Sequence, residues 1–583
     1  MKRTVPVAKV IIGYKDVLDA EPPADRISLL DGICRHIVLA EIAGLNYRIK
    51  PRTQMYHNTS FDFQKDELLY FCGFNNAIYR KVTVPISKFA AKIHAEPLIF
   101  TRPACLFAIE EILQSDLPEV PGFTMRDSWE KLFHYLLAVN TRITALSDKK
   151  EPEEDADQGE GKSSVGTIEK LNPRMLPLNE LEVETNPVYT PYRGYRLMKY
   201  ISTHATLSAH FIRYIKEKYD MEWPRFIFEI LSMYFANNVG GVNDVVVEGV
   251  NRKIDTSFIF HAKDDTAKFL NTLSGVVANA NPETLLSIKK NPLYLYEPGS
   301  FALVDHVLLL DKTYYQLIND FWFDAIKPLK GPSGKDLFTV KDYRATIGLF
   351  FESYLREIFS YSFEKANYNV LKMFDDLKVK SGKNVVELAD VYMRDKKRIF
   401  LAQAKTTGIY DKEKYSGNLD GLYRKDRDEF FKSFGLEQIV SSIKSLEDLA
   451  LQIDPKFPIG KVYKIYPAIL VNEKAMQTPL MAHIFNKRFQ EMISELKNNK
   501  VTIAPLAIIH VSDLEYIEEA LHDDHSQFFK ILDYHNRFPT FMPPFYNSLK
   551  HLNIKQKLDN RAMKQIEELI GIYNPGSDEA KTA

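Results

Sequence analysis

Apolar residues recur at helical spacing through much of the chain. Ile27, Leu30, Ile37 and Ile42 predict a helix over about Asp25–Gly44, preceded by a strand near Lys9–Tyr14 and followed by helices near 104–115 and 126–146. Residues 1–147 therefore read as a mixed α/β domain. From 193 to 330 the pattern is helical at first, with strand-like runs at Asp244–Glu248 and Phe301–Leu309, and predicts a helix-rich middle domain.

Beyond residue 337 the alternation sharpens. A helix is predicted over Val340–Phe363 and a strand over Val385–Met393. The tight basic turn Arg394-Asp395-Lys396-Lys397-Arg398 leads to a second strand, Ile399–Lys405. There follow a helix over Glu429–Leu451, a strand over Val462–Val471, a helix near Leu480–Lys497, a strand over Val501–Val511, and a helix opened by Ser512 and Glu515 at capping-box spacing. This order predicts an α/β domain around a mixed sheet, spanning 337–573.

Two breaks separate these regions. Between Asp148 and Ser164, Glu151, Glu153, Glu154, Asp155, Asp157 and Glu160 lie among Gly, Ser and Lys without apolar periodicity. With Pro173, Pro177, Pro187 and Pro191, they make 148–192 an acidic, proline-rich linker. Pro328, Gly331, Pro332 and Gly334 mark a second joint. Gly161-Lys162-Ser163 ends like a phosphate-binding loop, but Ala156 stands where that motif needs glycine and no strand precedes it.

Composition narrows the classes further. Of 583 residues, 45% are hydrophobic and 26% charged, which excludes a wholly disordered or fibrous chain. Lys and Arg number 76 against 77 Asp and Glu, so any nucleic-acid contact must be a local patch. Cys34, Cys72 and Cys105 contain no C-x-x-C pair and argue against a disulfide framework or a cysteine zinc site. No apolar run approaches the roughly 20 residues of a membrane helix. A cytoplasmic protein is expected.

The segment from Glu387 to Lys405 carries the chemistry. Asp390 lies on one apolar strand, and the second strand ends Gln403-Ala404-Lys405. Strand side chains alternate, so Gln403 and Lys405 share a face, and a suitable hairpin register brings Asp390 beside them. A carboxylate, an amide oxygen and an ammonium in one small volume suit phosphodiester cleavage, in which oxygen ligands hold a hard cation against developing negative charge.

At these residues the chain resembles the PD-(D/E)xK, or restriction-endonuclease-like, nuclease superfamily in its D...QxK variant. The resemblance covers about 338–450. It rests on Gly348-Leu-Phe-Phe351-Glu352 in the preceding helix, on Asp390 with Gln403-x-Lys405, and on Gln438 in the following helix. Ala389 stands in place of the family's proline and Gln403 in place of its usual acidic residue. The resemblance implies an αβββαβ core and Mg²⁺ or Mn²⁺ held by Asp390, Gln403, the Ala404 carbonyl and Glu352. It further implies catalysis by Asp390, Gln403, Lys405 and Glu352, with Gln438 and Glu387 as auxiliaries.

Each residue also has a simpler reading. Asp390 and Lys405 could form a cross-strand ion pair, Glu352 could pair with Arg356 at i+4, and Gln438 could be a solvated helix residue. Odd spacing puts Glu387 opposite Asp390 unless a bulge intervenes.

Between Arg394 and Lys432 there are 11 basic and 7 acidic residues among Tyr410, Tyr415 and Tyr423. Lys396, Lys397, Arg398, Arg424, Lys425 and Arg427 are the expected phosphate contacts. His522 and His525 have metal-like spacing without a third ligand and read, with Glu518 and Glu519, as the exposed face and end of a helix. Asn238, Gly240 and Gly241 lack dinucleotide-loop spacing, and no G-x-S-x-G elbow occurs.

The expected function is a metal-dependent endonuclease acting on nucleic acid, DNA foremost, in defence against phage or foreign DNA. Some 330 N-terminal residues would sense an activating ligand or phage protein, and paired duplex cuts would favour a homodimer. The alternative is an inactive nuclease-fold module that binds nucleic acid or protein.

Overall fold

The computed structural model describes residues 9–557, apart from 51–59, 72–75, 94, 120–124, 146–166, 184, 236–241, 248–249, 256–257, 264, 279, 367–369, 382, 497–499 and 539–541, together with isolated positions beyond 557. The acidic run at 148–164 and the glycine loop at 238–241 lie outside the described residues. The protein is mixed α/β and divides into two compact units, Met1–Lys150 with Ile201–Ala325, and Glu151–Tyr200 with Ile326–Ala583. The expected N-terminal and middle domains thus fall largely within one unit. No described helix is long and apolar enough to cross a membrane.

In the first unit, helices Arg35–Ile49, Arg102–Leu113 and Met125–Ala145 accompany a three-stranded sheet of Ile259–His261, Ser300–Leu303 and Leu293–Glu297. The helix expected from Asp25 begins ten residues later: Arg26–Leu30 is a 3₁₀ turn, ended by Gly32 at φ 78°. The run Phe301–Leu309 is strand only to Leu303. Asp305 then accepts the Leu308 N–H at 2.9 Å and caps a helix, while its carboxylate binds Arg102 at 2.7 and 2.9 Å.

The second unit contains the region that was expected to be linker. Helix α1, Thr167–Leu181, contains Pro173 and Pro177, and a further helix, Tyr189–Ser202, contains Pro191. Burial overrides propensity here: Leu176 is fully buried in the core of this unit, with Ile168 and Met175 packed against it.

Helix α2, Val340–Ser362, opens on Thr339, which caps the Asp342 N–H. Then come β1 (Val370–Met373), β2 (Lys378–Ser381), β3 (Asn384–Glu387), β4 (Val391–Asp395) and β5 (Arg398–Lys405). After α3 (Leu436–Leu449) follow β6 (Tyr463–Val471), α4 (Pro479–Met492), β7 (Val501–Ile503), β8 (Ala507–His510) and α5 (Val511–Asp523). The mixed sheet runs β7-β6-β5-β4-β1, with β8 also on β6. Strand β4 is antiparallel to both neighbours, while β5, β6, β7 and β8 run parallel.

Three expected elements are divided and one is capped differently. The strand 385–393 becomes β3, paired only with β2, and β4 in the main sheet. The strand 501–511 becomes β7 and β8 around Pro505, which has no N–H for a ladder. The helix 429–451 becomes Arg427–Ser433 and α3, divided by Gly435 at φ 85°. The last predicted helix starts at Val511 with His510 and Asp513 as its reciprocal cap, and Glu515 is instead buried against Arg193 at 3.0 Å.

Candidate active site

The β4–β5 hairpin sets the site. Val391 pairs with Ala402, Tyr392 with Leu401 and Met393 with Phe400. One further step puts Asp390 across from Gln403. Alternation places Leu401, Gln403 and Lys405 on the face toward α3, where Leu401 shares a core with Ile439 and Ile443. Gln403, buried, donates from Nε2 to Ser442 Oγ at 3.2 Å, and Ser442 donates to the Gln438 carbonyl at 2.8 Å. This chain fixes which way the Gln403 amide faces.

Asp390 is also buried. Its N–H donates to the Ala402 carbonyl at 3.0 Å, and its Oδ2 accepts the Ala404 N–H at 2.6 Å. The carboxylate is thus tied to the backbone between Gln403 and Lys405. Lys405 runs beside Gly435, where an added Cβ would stand 2.6 Å from its Cε and 3.4 Å from Gln438 Oε1. Gly435 is therefore required by its left-handed backbone, and the lysine occupies the space of its missing side chain. Gln438 is exposed and lies on the same side.

Glu352 comes from α2. One turn earlier, an added Cβ at Gly348 would lie 3.8 Å from Thr406 Oγ1, which puts this part of the helix beside the loop leaving β5. Partial burial, then the charges of Asp390 and Glu387, push the Glu352 carboxyl above its ordinary range. Burial pushes Asp390 up, opposed by the Ala404 N–H and Lys405. Crowding by protein, then Asp390, raises Glu387, with Lys378 and Lys405 acting against it.

Glu387, exposed at the end of β3, reaches this cluster because β3 belongs to a different sheet. Leu388 N–H binds the Leu377 carbonyl as the chain crosses over, so alternation along a single strand does not govern its direction. Arg356 does not take Glu352 as its ion partner; it reaches Asp376 at 3.5 Å and the Met373 carbonyl at 3.3 Å. Tyr200 stands near Glu352, its ring 5.7 Å from that of Phe350.

The donor set suits a hard cation in kind: three carboxylates that repel one another, a neutral amide oxygen, and one lysine. Among the described residues, no three His, Cys, Asp or Glu side chains converge closely enough to hold an ion by themselves. Neutral oxygens must therefore complete any such site.

The expected phosphate contacts divide sharply. Lys396, Lys397 and Arg398 lie at the turn, and Arg398, the nearest in sequence, is seven residues and about 23 Å along β5 from Lys405. Arg398 pairs with Asp395 and covers the Phe529 ring at 4.6 Å. Arg427 is held by both oxygens of buried Glu169 at 2.6 and 2.9 Å, and the Tyr423 hydroxyl joins them at 2.8 Å. It anchors α1 rather than facing solvent. Arg424 and Lys425 remain exposed, Arg424 against Glu413 at 2.7 and 2.8 Å.

Elsewhere, His522 stacks on Tyr361 at 4.3 Å and Glu518 is buried, so that helix end is packed rather than solvated. Sequence reasoning missed Gly435, Ser442, Arg344 and Tyr200, and noted Tyr410 only as one of the tyrosines in the basic stretch. Of the four missed, only Gly435 left a signal, a glycine inside an expected helix. No protein-family model, curated protein or solved structure matches the chain.

Proposed function

We propose that the second unit is a divalent-cation-dependent endonuclease that hydrolyses phosphodiester bonds, with DNA as its foremost substrate. The observation that carries this reading is the tie of the Asp390 carboxylate to the Ala404 N–H, between Gln403 and Lys405, at the open end of the β4–β5 hairpin, with Glu352 and Glu387 near enough for their charges to be felt there. The chain order α2, β1, β4, β5, α3, β6 supports a restriction-endonuclease-like αβββαβ core.

Mg²⁺ or Mn²⁺ would be held by Asp390, Glu352, Gln403 Oε1 and the Ala404 carbonyl, and when bound it stabilises negative charge on the scissile phosphate. Asp390 is prepositioned by the Ala404 N–H, and Ser442 orients the Gln403 amide. Lys405, channelled by Gly435, donates to the phosphate oxygen on which charge builds. The first unit would act as sensor or regulator in cytoplasmic defence against phage or foreign DNA, with a homodimer supplying paired cuts.

The test is cleavage of plasmid, linear and single-stranded DNA by full-length protein and by Lys405→Ala, with Mg²⁺ or Mn²⁺. Metal-dependent cutting lost in the variant supports the reading. Equal cutting by both proteins, or none even after addition of a phage lysate, overturns it. A second reading is favoured by one observation: the Asp390 carboxylate is already committed to Ala404, and among the described residues no three carboxylate, imidazole or thiolate ligands come close together there. A catalytically silent nucleic-acid-binding or protein-interaction module would then bind DNA equally well with or without Lys405.

A further inference from the structure

Tyr410, five residues beyond Lys405, is held between two guanidinium groups. Arg344 lies 5.2 Å from its ring centroid and Arg424 lies 5.0 Å from it. Arg344 also donates to the Tyr410 hydroxyl. The assembly is built from beneath by buried Glu413. Its Oε2 accepts the Tyr410 N–H at 3.0 Å, and its two oxygens hold Arg424 Nε and Nη2. Both arginines are exposed, and among the described residues no carboxylate pairs with Arg344.

The backbone pays for this display. Arg424 and Lys425 are consecutive non-glycine residues at φ 52° and 64°, a conformation that side chains with a Cβ disfavour. Both cations are exposed, and Arg424 lies beside Tyr410. Helix α2 ties the assembly to the candidate active site: Arg344, Gly348 and Glu352 follow at intervals of four and share one face. Arg344 thus stands about 12 Å along the helix from Glu352, too far for the same phosphate and suited to a neighbouring stretch of strand.

On the nuclease reading above, we infer that Arg344, Tyr410 and Arg424, with Lys425, form a clamp for the nucleic-acid strand flanking the scissile phosphate. Glu413 takes the Nε and Nη2 edge of Arg424 and so fixes the group with its Nη1 side turned from that carboxylate, while Arg344 gives one Nη2 donor to Tyr410 and keeps its other N–H groups; those remaining donors suit phosphate oxygens. The contact is to the backbone and confers position rather than sequence preference.

The test uses the full-length protein in EDTA, so that binding is measured without turnover, with fluorescein-labelled single-stranded and duplex DNA across about 50 to 200 mM salt. Arg344→Ala with Arg424→Ala is expected to weaken binding about tenfold to a hundredfold, and to lower the salt slope by about one for each arginine that contacts a phosphate. Tyr410→Ala is expected to weaken binding while Tyr410→Phe, which keeps the ring, retains most of it. Thermal unfolding checks that each variant is folded. Unchanged affinity and slope in folded variants, beside a wild type that binds and cleaves, would overturn the clamp alone. A wild type that neither binds nor cleaves DNA would overturn the clamp and the nuclease reading together.

Discussion

The two ends of β5 carry similar charge and use it differently. At the turn, Arg398 pairs with its near neighbour Asp395 and lies over Phe529, and the Lys397 carbonyl takes the Lys464 N–H. At the open end, Lys405 faces Asp390, Glu352 and Glu387, each a carboxyl raised above its ordinary range. A cation matched to one local carboxylate completes the surface. A lone lysine among several crowded carboxylates leaves an excess of negative charge that a bound ion or a transferred proton must relieve.

The largest expected effect separates the two ends directly. Lys405→Ala should lower the rate of metal-dependent DNA cleavage by about 10²–10³-fold, the usual consequence of removing one electrostatic stabiliser. Lys396→Ala and Lys397→Ala should leave it within about twofold, being about 23 Å away along the strand. Comparable losses from both ends would erase the distinction.

Arg427 extends the contrast from catalysis to stability. Although it belongs to the basic stretch expected to bind phosphate, it is spent on buried Glu169. Arg427→Ala strands that carboxylate and should cost about 3 kcal/mol of stability, read from denaturant unfolding. If stability is unchanged while DNA affinity falls, Arg427 belongs with the phosphate contacts after all.

The helices and the hairpin strands from α2 to α5 were legible where the hydrophobic period is strong and the breaks are clear, while the short strands β1 and β2 were not foreseen. The shared face of Gln403 and Lys405 followed from period-two alternation, and the register that brings Asp390 to them is set by the hairpin. What escaped was tertiary in origin. Pro173 and Pro177 read as loop because nothing local records that Leu176 is buried in a core built from residues two hundred positions away. Alternation could not place Glu387 because one apolar run, Val385–Met393, serves two sheets. The turn lysines were picked out by charge density, which carries no information about which end of a hairpin it occupies. Arg344 was overlooked since its partner Tyr410 lies 66 residues away.

Gly435 gives a smaller and more selective effect. Gly435→Ala forces a Cβ into the left-handed region, at a cost of about 1–2 kcal/mol. It also meets Lys405 Cε at 2.6 Å. That side chain is flexible and yields, so the displacement should appear as a lowered kcat with nearly unchanged DNA affinity. In a Lys405→Ala background the same substitution should lose only stability. A Gly435→Ala protein that is fully active would show that the path of Lys405 past this glycine is incidental.

Asp390 supplies the subtlest test, since its burial sets function against stability. Its folded carboxyl titrates above its unfolded value, so the folded state binds the proton more tightly. Stability from this group is therefore greatest below the ordinary carboxylate value of about 3.9 and declines as pH rises through the window up to the raised value. At neutral pH the full cost of an ionised, desolvated carboxylate is present. Asp390→Asn removes that charge yet keeps an oxygen to accept the Ala404 N–H. In EDTA the variant should be more stable than wild type at pH 7, and the gain should vanish near pH 4. Cleavage should be lost at every pH. A variant that is less stable at pH 7, or whose advantage does not depend on pH, would mean that Asp390 is a satisfied structural acid like Asp395 at the other end of the hairpin.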